Sequence, residues 1–442
     1  MQTVDTLVIG FGKAGKTLAG ALAKRGEHVV LVEKSSQMYG GTCINIACIP
    51  SKTLEFKSRK YHEDRYYERA LTEKRQFIAK LRQKNYDKIA GTGAEIVDGV
   101  AYFLDPDHVR VEKADGTLVD YAPKKILINT GAVNQRIAIP GLETSKRVMT
   151  STELLDCETL PERLVIVGTS FIGLEFASIF TNFGAKVTLL QRGEVFLPKT
   201  DREMAATIKQ DLLARGIEIL EKAQIVRGVE EDALTLTVSV DGQERTLSAD
   251  GVLLALGRKP LTEGLGLDKA GVELDERGAI RVTSTLKTTN PKVWAAGDVK
   301  GGPQFTYVSL DDFRIVLGDM LGKGERSTEN RPLMPYAMFI DPPYAHIGLT
   351  EEEAKAKGLG YVVSKLPAAG IPKANIMESP RGLLKVILEK GTEKILGAHF
   401  YCVESHEIIH IIQMAMRADL PYSVIRNNIF AHPTIAEALN DL

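Results

Sequence analysis

Thr6-Leu7-Val8-Ile9-Gly10-Phe11-Gly12-Lys13-Ala14-Gly15, near the start of the chain, joins an apolar run to a glycine-spaced turn. The run predicts a buried strand over 6–9, the residues after the turn predict a helix over 13–25, and a second apolar run predicts a strand over 29–32 that ends at Glu33. Each glycine has a mechanical reason. Gly10 makes the tight turn, Gly12 lets the backbone approach a pyrophosphate, and Gly15 lets helix and strand pack closely. The helix N-terminus then offers N–H groups and a positive dipole end to phosphates, and Glu33 accepts from ribose hydroxyls. Strand, turn, helix and acid in this order predict a dinucleotide-binding unit.

The same pattern returns at Leu164-Val165-Ile166-Val167-Gly168-Thr169-Ser170-Phe171-Ile172-Gly173, with a predicted helix over 174–183 and a strand over 187–190. Two such units imply two dinucleotides. The second copy has Ser170 where the first has Gly12, so the serine either donates its hydroxyl to the pyrophosphate or loosens the site. It has Gln191 followed by Arg192 where the first has Glu33. Losing the carboxylate removes the partner of an unphosphorylated ribose, and an arginine suits a 2′-phosphate, which tilts this site towards NADPH without excluding NADH. Other predicted strand ends carry Thr130-Gly131, Gly257-Arg258 and Gly297-Asp298, each read as facing a cofactor. Thr130-Gly131 reads equally as a plain turn, and Asp298 as a helix N-cap for a helix near Leu310. A polar, tyrosine-rich run over 55–89 predicts helix with a solvated face and no chemistry.

Between the first unit and that run lies Gly40-Gly41-Thr42-Cys43-Ile44-Asn45-Ile46-Ala47-Cys48-Ile49-Pro50-Ser51-Lys52. Five positions along an ideal α-helix place two Cα atoms more than about 7 Å apart, too far for a disulfide. Pro50 favours a bend here, so the expectation is an irregular backbone and a strained, reducible Cys43–Cys48 disulfide at the start of a helix. Only four cysteines occur in 442 residues, too few for a disulfide scaffold, and a close pair in a reducing compartment reads as catalytic or metal-binding. Zinc is the weaker choice because Cys157 and Cys402 stand alone, so no metal site is expected.

A net charge of −1, with 44% hydrophobic and 26% charged residues, describes a multi-domain globular chain and argues against nucleic-acid and membrane-surface partners. With no signal-like or membrane-spanning run, a cytoplasmic location is expected.

The ordered motifs, closing with His432-Pro433-Thr434 and Glu437, resemble the pyridine nucleotide-disulfide oxidoreductases, which include dihydrolipoamide dehydrogenase, glutathione reductase and mercuric reductase. The resemblance implies an α/β architecture of two Rossmann-like domains and a C-terminal α+β dimerisation domain. It assigns 1–149 and 271–334 to FAD binding, 150–270 to NAD(P)H binding and 335–442 to the homodimer interface. Thr42, which precedes Cys43 in that motif, is grouped with the FAD-binding residues. The resemblance further implies that Cys48 faces the flavin as the charge-transfer thiolate and that Cys43 attacks substrate. Lys52 and Glu175 match an ion pair beside the flavin, and His432, oriented by Glu437, matches an acid–base histidine reaching the partner's Cys43. His346, His399, His406 and His410 match nothing and are read as core or surface residues, Cys402 as a small buried hydrophobe and Cys157 as an inert linker thiol.

Ala47 in place of the usual glycine, with Met38-Tyr39 and Ile44-Asn45-Ile46, most resembles the bacterial reactive-chlorine-resistance flavoproteins, a subgroup that includes hypothiocyanous acid reductases and has been linked to copper(II) reduction. The chain ends five residues after Glu437, without the cysteine-bearing tail of mercuric reductases. The expected activity is electron transfer from NAD(P)H through FAD and the cysteine pair to hypothiocyanous acid. The alternatives are a dihydrolipoamide- or glutathione-type reductase, a Cu(II) or Hg(II) reductase, and a non-enzymatic FAD-binding redox sensor.

Overall fold

The computed structural model describes residues 1–60 and 66–442. A seven-stranded sheet is built on the strand Gln2–Ile9, which pairs in parallel with Val29–Glu33 on one side and with Leu118–Ile128 on the other. Residues 4–9 and 126–128 are largely apolar and buried because sheet and flanking helices enclose them on both faces. Late in the chain Val293–Ala295 returns to pair with Leu118–Ile128, so this unit is made from two separated parts of the sequence.

Helix α1 (Lys13–Ala23) follows the glycine turn. The cysteine stretch holds two helices, α2 (Thr42–Asn45) and α3 (Cys48–Lys60), and α4 (Tyr66–Ala90) packs against both. The polar run predicted over 55–89 is therefore parts of two helices, and its portion over 61–65 lies outside the described residues. One side of α4 is buried through Tyr67, Ala70, Leu71 and Ile78.

The second unit repeats the design. Arg163–Val167 lies between Lys186–Leu190 and Gly251–Leu254 in a parallel five-stranded sheet, and a three-stranded antiparallel meander covers it. After the short helix α5 (Ser151–Leu154), α6 (Phe171–Asn182) follows the second glycine turn, starting three residues earlier than the glycine spacing predicted. Helix α7 (Arg202–Ala214) completes the unit. Ala132–Asn134 and Arg258–Pro260 form a two-stranded ribbon where the chain leaves and re-enters the first unit.

Helix α8 (Thr306–Met320) packs on α1, and a five-stranded antiparallel sheet with the helix Ser405–Arg417 forms the C-terminal domain. A buried ion cluster ties this domain to the second unit. Lys385, 1% exposed, meets Asp201 at 3.0 Å and Glu351 at 2.7 Å. Burial alone would favour a neutral lysine, but these carboxylates hold its pKa above the ordinary value. No helix among the described residues is long and apolar enough to cross a membrane.

Candidate active site

A cleft of about 1800 Å³ runs from the first glycine turn, past the cysteines, to the C-terminal domain. At one end Gly10 has φ +104°, and a side chain there would meet the carbonyl oxygen of Asn129 at 2.4 Å. A Cβ on Gly15 would meet the Gly10 carbonyl oxygen at 2.3 Å, so helix and strand pack as the spacing predicted. Gly12 is crowded for a different reason, because its Cβ would lie 2.4 Å from Asn129 Oδ1. Asn129 braces the whole turn, accepting from the Gly15 amide at 2.9 Å and donating to the Ala296 carbonyl at 2.6 Å. It thereby joins Gly10–Gly15 to Gly297, and nothing in the local pattern around residue 129 marks it.

Glu33 ends its strand facing the cleft and accepts from the Phe11 amide at 2.9 Å and the Ser35 amide at 3.3 Å. Burial raises its pKa against the pull of these amides. Thr42, Thr130, Gly131, Gly297 and Asp298 also line the cleft. The Thr130 hydroxyl donates to the Leu261 carbonyl at 2.7 Å, so the turn that faces the cleft is anchored. Asp298 lies in a one-turn 3₁₀ helix whose N-cap is Ala296, and α8 starts at Thr306 with Phe305 as its cap, so the N-cap reading of Asp298 is corrected. Burial raises its carboxyl pKa while Arg258 and Lys300 oppose the shift.

In the middle of the cleft the backbone breaks between the cysteines. Ile46, at φ −139°, ends α2, and Cys48 is the first residue of α3. The predicted bend is present, although Pro50 is not its cause: it lies in the first turn of α3, where its missing N–H costs nothing. Gly41, at φ +76°, presses against Gly12, and a Cβ there would stand 2.7 Å from the Gly12 Cα, so the cysteine stretch is seated on the first glycine turn. In this structure Cys43 and Cys48 are free thiols, hydrogen-bonded to one another, which is the reduced form of the expected redox disulfide. The bond from Cys43 lowers the Cys48 pKa against the cost of burial, with help from Thr306 and Lys52. The α3 N-terminus adds its dipole. Cys43 shifts upward, chiefly because it is the donor to Cys48 and secondarily because it is buried. The hydrogen bond thus favours negative charge on Cys48 over Cys43.

One turn along α3, Lys52 Nζ meets Glu175 Oε2 at 2.6 Å, and Glu175 Oε1 accepts from the Phe339 amide at 3.0 Å. Lys52 also lies 4.6 Å from the centre of the Phe339 ring. Two further residues face the pair: Thr306, which no sequence signal marks, and Arg258, from the Gly257-Arg258 strand end. Thr306, first in α8, places Oγ1 3.6 Å from Cys48 Sγ. Arg258, held by Asn134 and the Ala132 carbonyl, lines the cleft and carries charge towards Asp298 and Cys48.

In the second glycine turn Gly168 has φ +111°, and a Cβ on Gly173 would meet the Gly168 carbonyl oxygen at 2.0 Å. Ser170 sits at φ −79°, which any residue adopts, and its hydroxyl faces the Ala255 carbonyl at 3.5 Å. Glycine is therefore not required there. Gln191 is buried, accepting from the Thr169 hydroxyl at 3.2 Å and donating to the Gly193 carbonyl at 2.9 Å, whereas Arg192 is exposed. Gly257 has φ +88° at the ribbon that joins the units.

His432 Nδ1 lies 2.8 Å from Glu437 Oε2 as paired, and this bond lowers the Glu437 pKa. His432 is 70% exposed and does not line the cleft of its own chain. Of the unmatched histidines, His399 is buried against Tyr344 and His346, while His406 and His410 line the cleft mouth. Cys402 is fully buried, and Cys157 donates to the Thr159 carbonyl.

A fold of two glycine-turn dinucleotide units, with a cysteine pair between them and a separate C-terminal domain, is matched by two family models: the pyridine nucleotide-disulphide oxidoreductase model over residues 4–312 and that family's dimerisation domain over 334–442. The chain belongs to this family of oxidoreductases. It is 45% identical to the probable pyridine nucleotide-disulfide oxidoreductase RclA of Escherichia coli, across 100% of this chain and 99% of that protein. A solved structure of the Cu(II) complex of the HOCl-induced flavoprotein disulfide reductase RclA superposes with a TM-score of 0.96 at 43% identity, covering 100% of this chain and 99% of the other. The chain is also 32% identical to dihydrolipoyl dehydrogenase of Geobacillus stearothermophilus, over 98% of this chain and 94% of that one, and 32% identical to mercuric reductase of Staphylococcus aureus, over 98% and 81%. The glycine cradle, Glu33 and the length of the cleft fit FAD in the first unit.

Proposed function

We propose that this protein is an NAD(P)H-dependent flavoprotein disulfide reductase that passes electrons through Cys48 and Cys43 to a small sulfur electrophile, hypothiocyanous acid. The observation that carries the reading is the cysteine pair itself: a bent dithiol with its charge on Cys48, set between the FAD cradle and the Lys52–Glu175 ion pair. FAD, when bound, supplies two-electron transfer between nicotinamide and this pair. Gly10, Gly12, Gly15, Glu33, Thr42, Thr130, Gly131, Gly297 and Asp298 would hold it, and Gly168, Ser170, Gly173 and Gly257 would hold the nicotinamide dinucleotide, with Gln191 and Arg192 at its ribose end. Lys52 keeps a positive charge at the flavin side of the cleft.

Starting from the dithiol, His432 of the partner subunit takes the Cys43 proton and the Cys43 thiolate attacks the sulfur of hypothiocyanous acid. A sulfur–sulfur bond forms, the sulfur–oxygen bond breaks, and the hydroxide leaves as water with the proton that the partner's His432 returns. The Cys48 thiolate then attacks Cys43 Sγ, the bond to the thiocyanate sulfur breaks, and thiocyanate leaves with its electron pair as the disulfide closes. In this reading the active unit is a homodimer. Support comes from the dimerisation-domain match, from a paired but exposed His432–Glu437 couple outside its own cleft, and from Ile429, 96% exposed in the same domain.

Copper(II) is a second candidate oxidant, favoured by the solved Cu(II) complexes of RclA and by the soft thiolate pair. Anaerobic titration with NADPH and with NADH, followed by steady-state assays with hypothiocyanous acid, oxidised glutathione, dihydrolipoamide with NAD⁺, Hg(II) and Cu(II), tests the reading. Flavin reduction followed by turnover with hypothiocyanous acid is expected. A flavin that stays oxidised would leave only a sensor or partner-subunit role.

A further inference from the structure

Beneath the cysteine stretch lies a buried cation that no step above uses. Lys16, on α1, is buried, and no carboxylate pairs with it among the described residues. Its Nζ donates to Asn85 Oδ1 on α4 and reaches the Gly40 carbonyl at 3.4 Å, three residues before Cys43. Lys13 lines the cleft and Lys16 does not, so Lys16 is not placed to bind a molecule lying there. Burying an ammonium without a counter-ion carries a desolvation cost that ordinary packing does not offset.

The fixing of this residue is elaborate for a filler. Asn85 is held by its own bond to the Leu81 carbonyl at 2.7 Å. One turn earlier on α4, Arg82 donates to Asn45 Oδ1 at 2.9 Å, and Asn45 Nδ2 binds the Tyr39 and Gly41 carbonyls at 3.0 and 2.9 Å. The polar face of α4 thus grips both ends of the turn that carries Cys43, with Lys16 at its centre.

We propose that Lys16 is a charge-positioning residue of the redox site, a buried ammonium that stabilises the thiolate of Cys43. The proposal rests on the reading of Cys43 as the attacking thiol. Cys43 carries negative charge twice in each turnover, when the disulfide opens and when the thiol attacks the oxidant. On both occasions Lys16 lies beneath the turn, its Nζ 3.4 Å from the Gly40 carbonyl. Among the described residues Cys48 across the helix break, Thr306 from α8 and Lys16 from α1 act on Cys43; Thr306 and Lys16 favour its thiolate, Thr306 the more strongly, and Lys16 is the cation of the three. Those that act on Lys16 are Lys13 on its own helix, Lys88 on α4 and Cys43. Burial, followed by the two lysines, lowers its pKa to about 8, and the Cys43 charge works in the opposite direction. A thiolate at Cys43 therefore keeps Lys16 protonated, and a protonated Lys16 favours the thiolate.

The test uses the full-length FAD-loaded enzyme, reduced anaerobically with NADPH, in unmodified form and as Lys16→Met and Lys16→Arg. The rate of iodoacetamide labelling at Cys43 and at Cys48 is followed against pH by peptide mass. In Lys16→Met, Cys43 labelling at neutral pH is expected to fall about tenfold and its midpoint to move to higher pH, as for the loss of one unit charge in a partly screened interior. Cys48 labelling should hold its profile, and Lys16→Arg should restore Cys43. A folded, flavin-loaded Lys16→Met with an unmoved Cys43 profile, or with both cysteines shifted equally, would overturn the proposal. If Lys16→Met does not fold, Asn85→Leu, which frees the ammonium from its holder, should shift Cys43 in the same direction, and no shift there would overturn it. Preferential labelling of Cys48 in the unmodified enzyme would instead overturn the assignment of roles within the pair, whatever Lys16 does.

Discussion

Single side chains in this protein are tuned by what surrounds them more than by their own type. Glu55, on the buried side of α3, has Arg59 at 2.6 Å, a partner that favours the ionised form. Burial outweighs that partner, Asp341 and Glu175 push in the same direction as burial, and its pKa rises to about 7. A carboxyl whose folded pKa lies above its unfolded value stabilises the fold below the unfolded value and loses that contribution as pH rises through the folded one. Glu55→Gln should therefore raise the melting temperature at pH 8, by on the order of 1–3 kcal/mol of stability, and the difference should close towards pH 5. Thermal unfolding across that range checks it. Arg192 is the opposite case, an exposed cation beside the inward-turned Gln191. If it reads a 2′-phosphate, Arg192→Ala should raise KM for NADPH about tenfold and leave KM for NADH unchanged, since only the first loses a charge-assisted bond. Parallel KM measurements decide between that role and a plain surface charge.

At the level of elements, much of the site was legible because it is local. Gly15 and Gly173 act within a few residues of themselves, and the close contacts they permit are those the spacing implies. The same contacts give a clean expectation for the second unit. A Cβ on Gly173 meets backbone at 2.0 Å and cannot be relieved by a rotamer, so Gly173→Ala should keep flavin colour and reduction by dithionite but lose reduction by NADPH. Stopped-flow absorbance with each reductant reads this directly. What was illegible acts across long separations. Asn129 braces a turn 114 residues earlier, and Thr306 meets a cysteine 258 residues before it. Neither carries a periodic or spacing signal. Helix α4 has the solvated charged face its composition implies, while Arg82 and Asn85 on another side of it hold the cysteine turn, a long-range role that no periodicity marks. Ser170, which the motif pattern reads as either a donor to the pyrophosphate or a looser fit, sits on a backbone that any residue adopts, with its hydroxyl towards the Ala255 carbonyl.

The whole molecule combines an ion-paired frame with a histidine–glutamate pair that lies outside its own chain's cleft. The Lys385–Asp201 cluster locks the nucleotide unit to the C-terminal domain, while His432 and Glu437 are assembled but face outwards. If the partner completes the cleft, chains carrying Cys43→Ser and His432→Ala should complement one another. An isolated heterodimer holds one intact site, made from Cys43 of one chain and His432 of the other, so it should recover about half of the unmodified activity where each parent has almost none. A heterodimer as inactive as its parents would place the proton donor elsewhere. The direction of electron flow, in on the Cys48 side and out from Cys43, is the claim on which the rest depends. It is tested most directly by NADPH oxidation with hypothiocyanous acid, measured for the unmodified enzyme and for Cys43→Ser alongside anaerobic flavin reduction. Turnover should vanish in Cys43→Ser while NADPH still reduces its flavin, and turnover that survives the substitution would contradict the account.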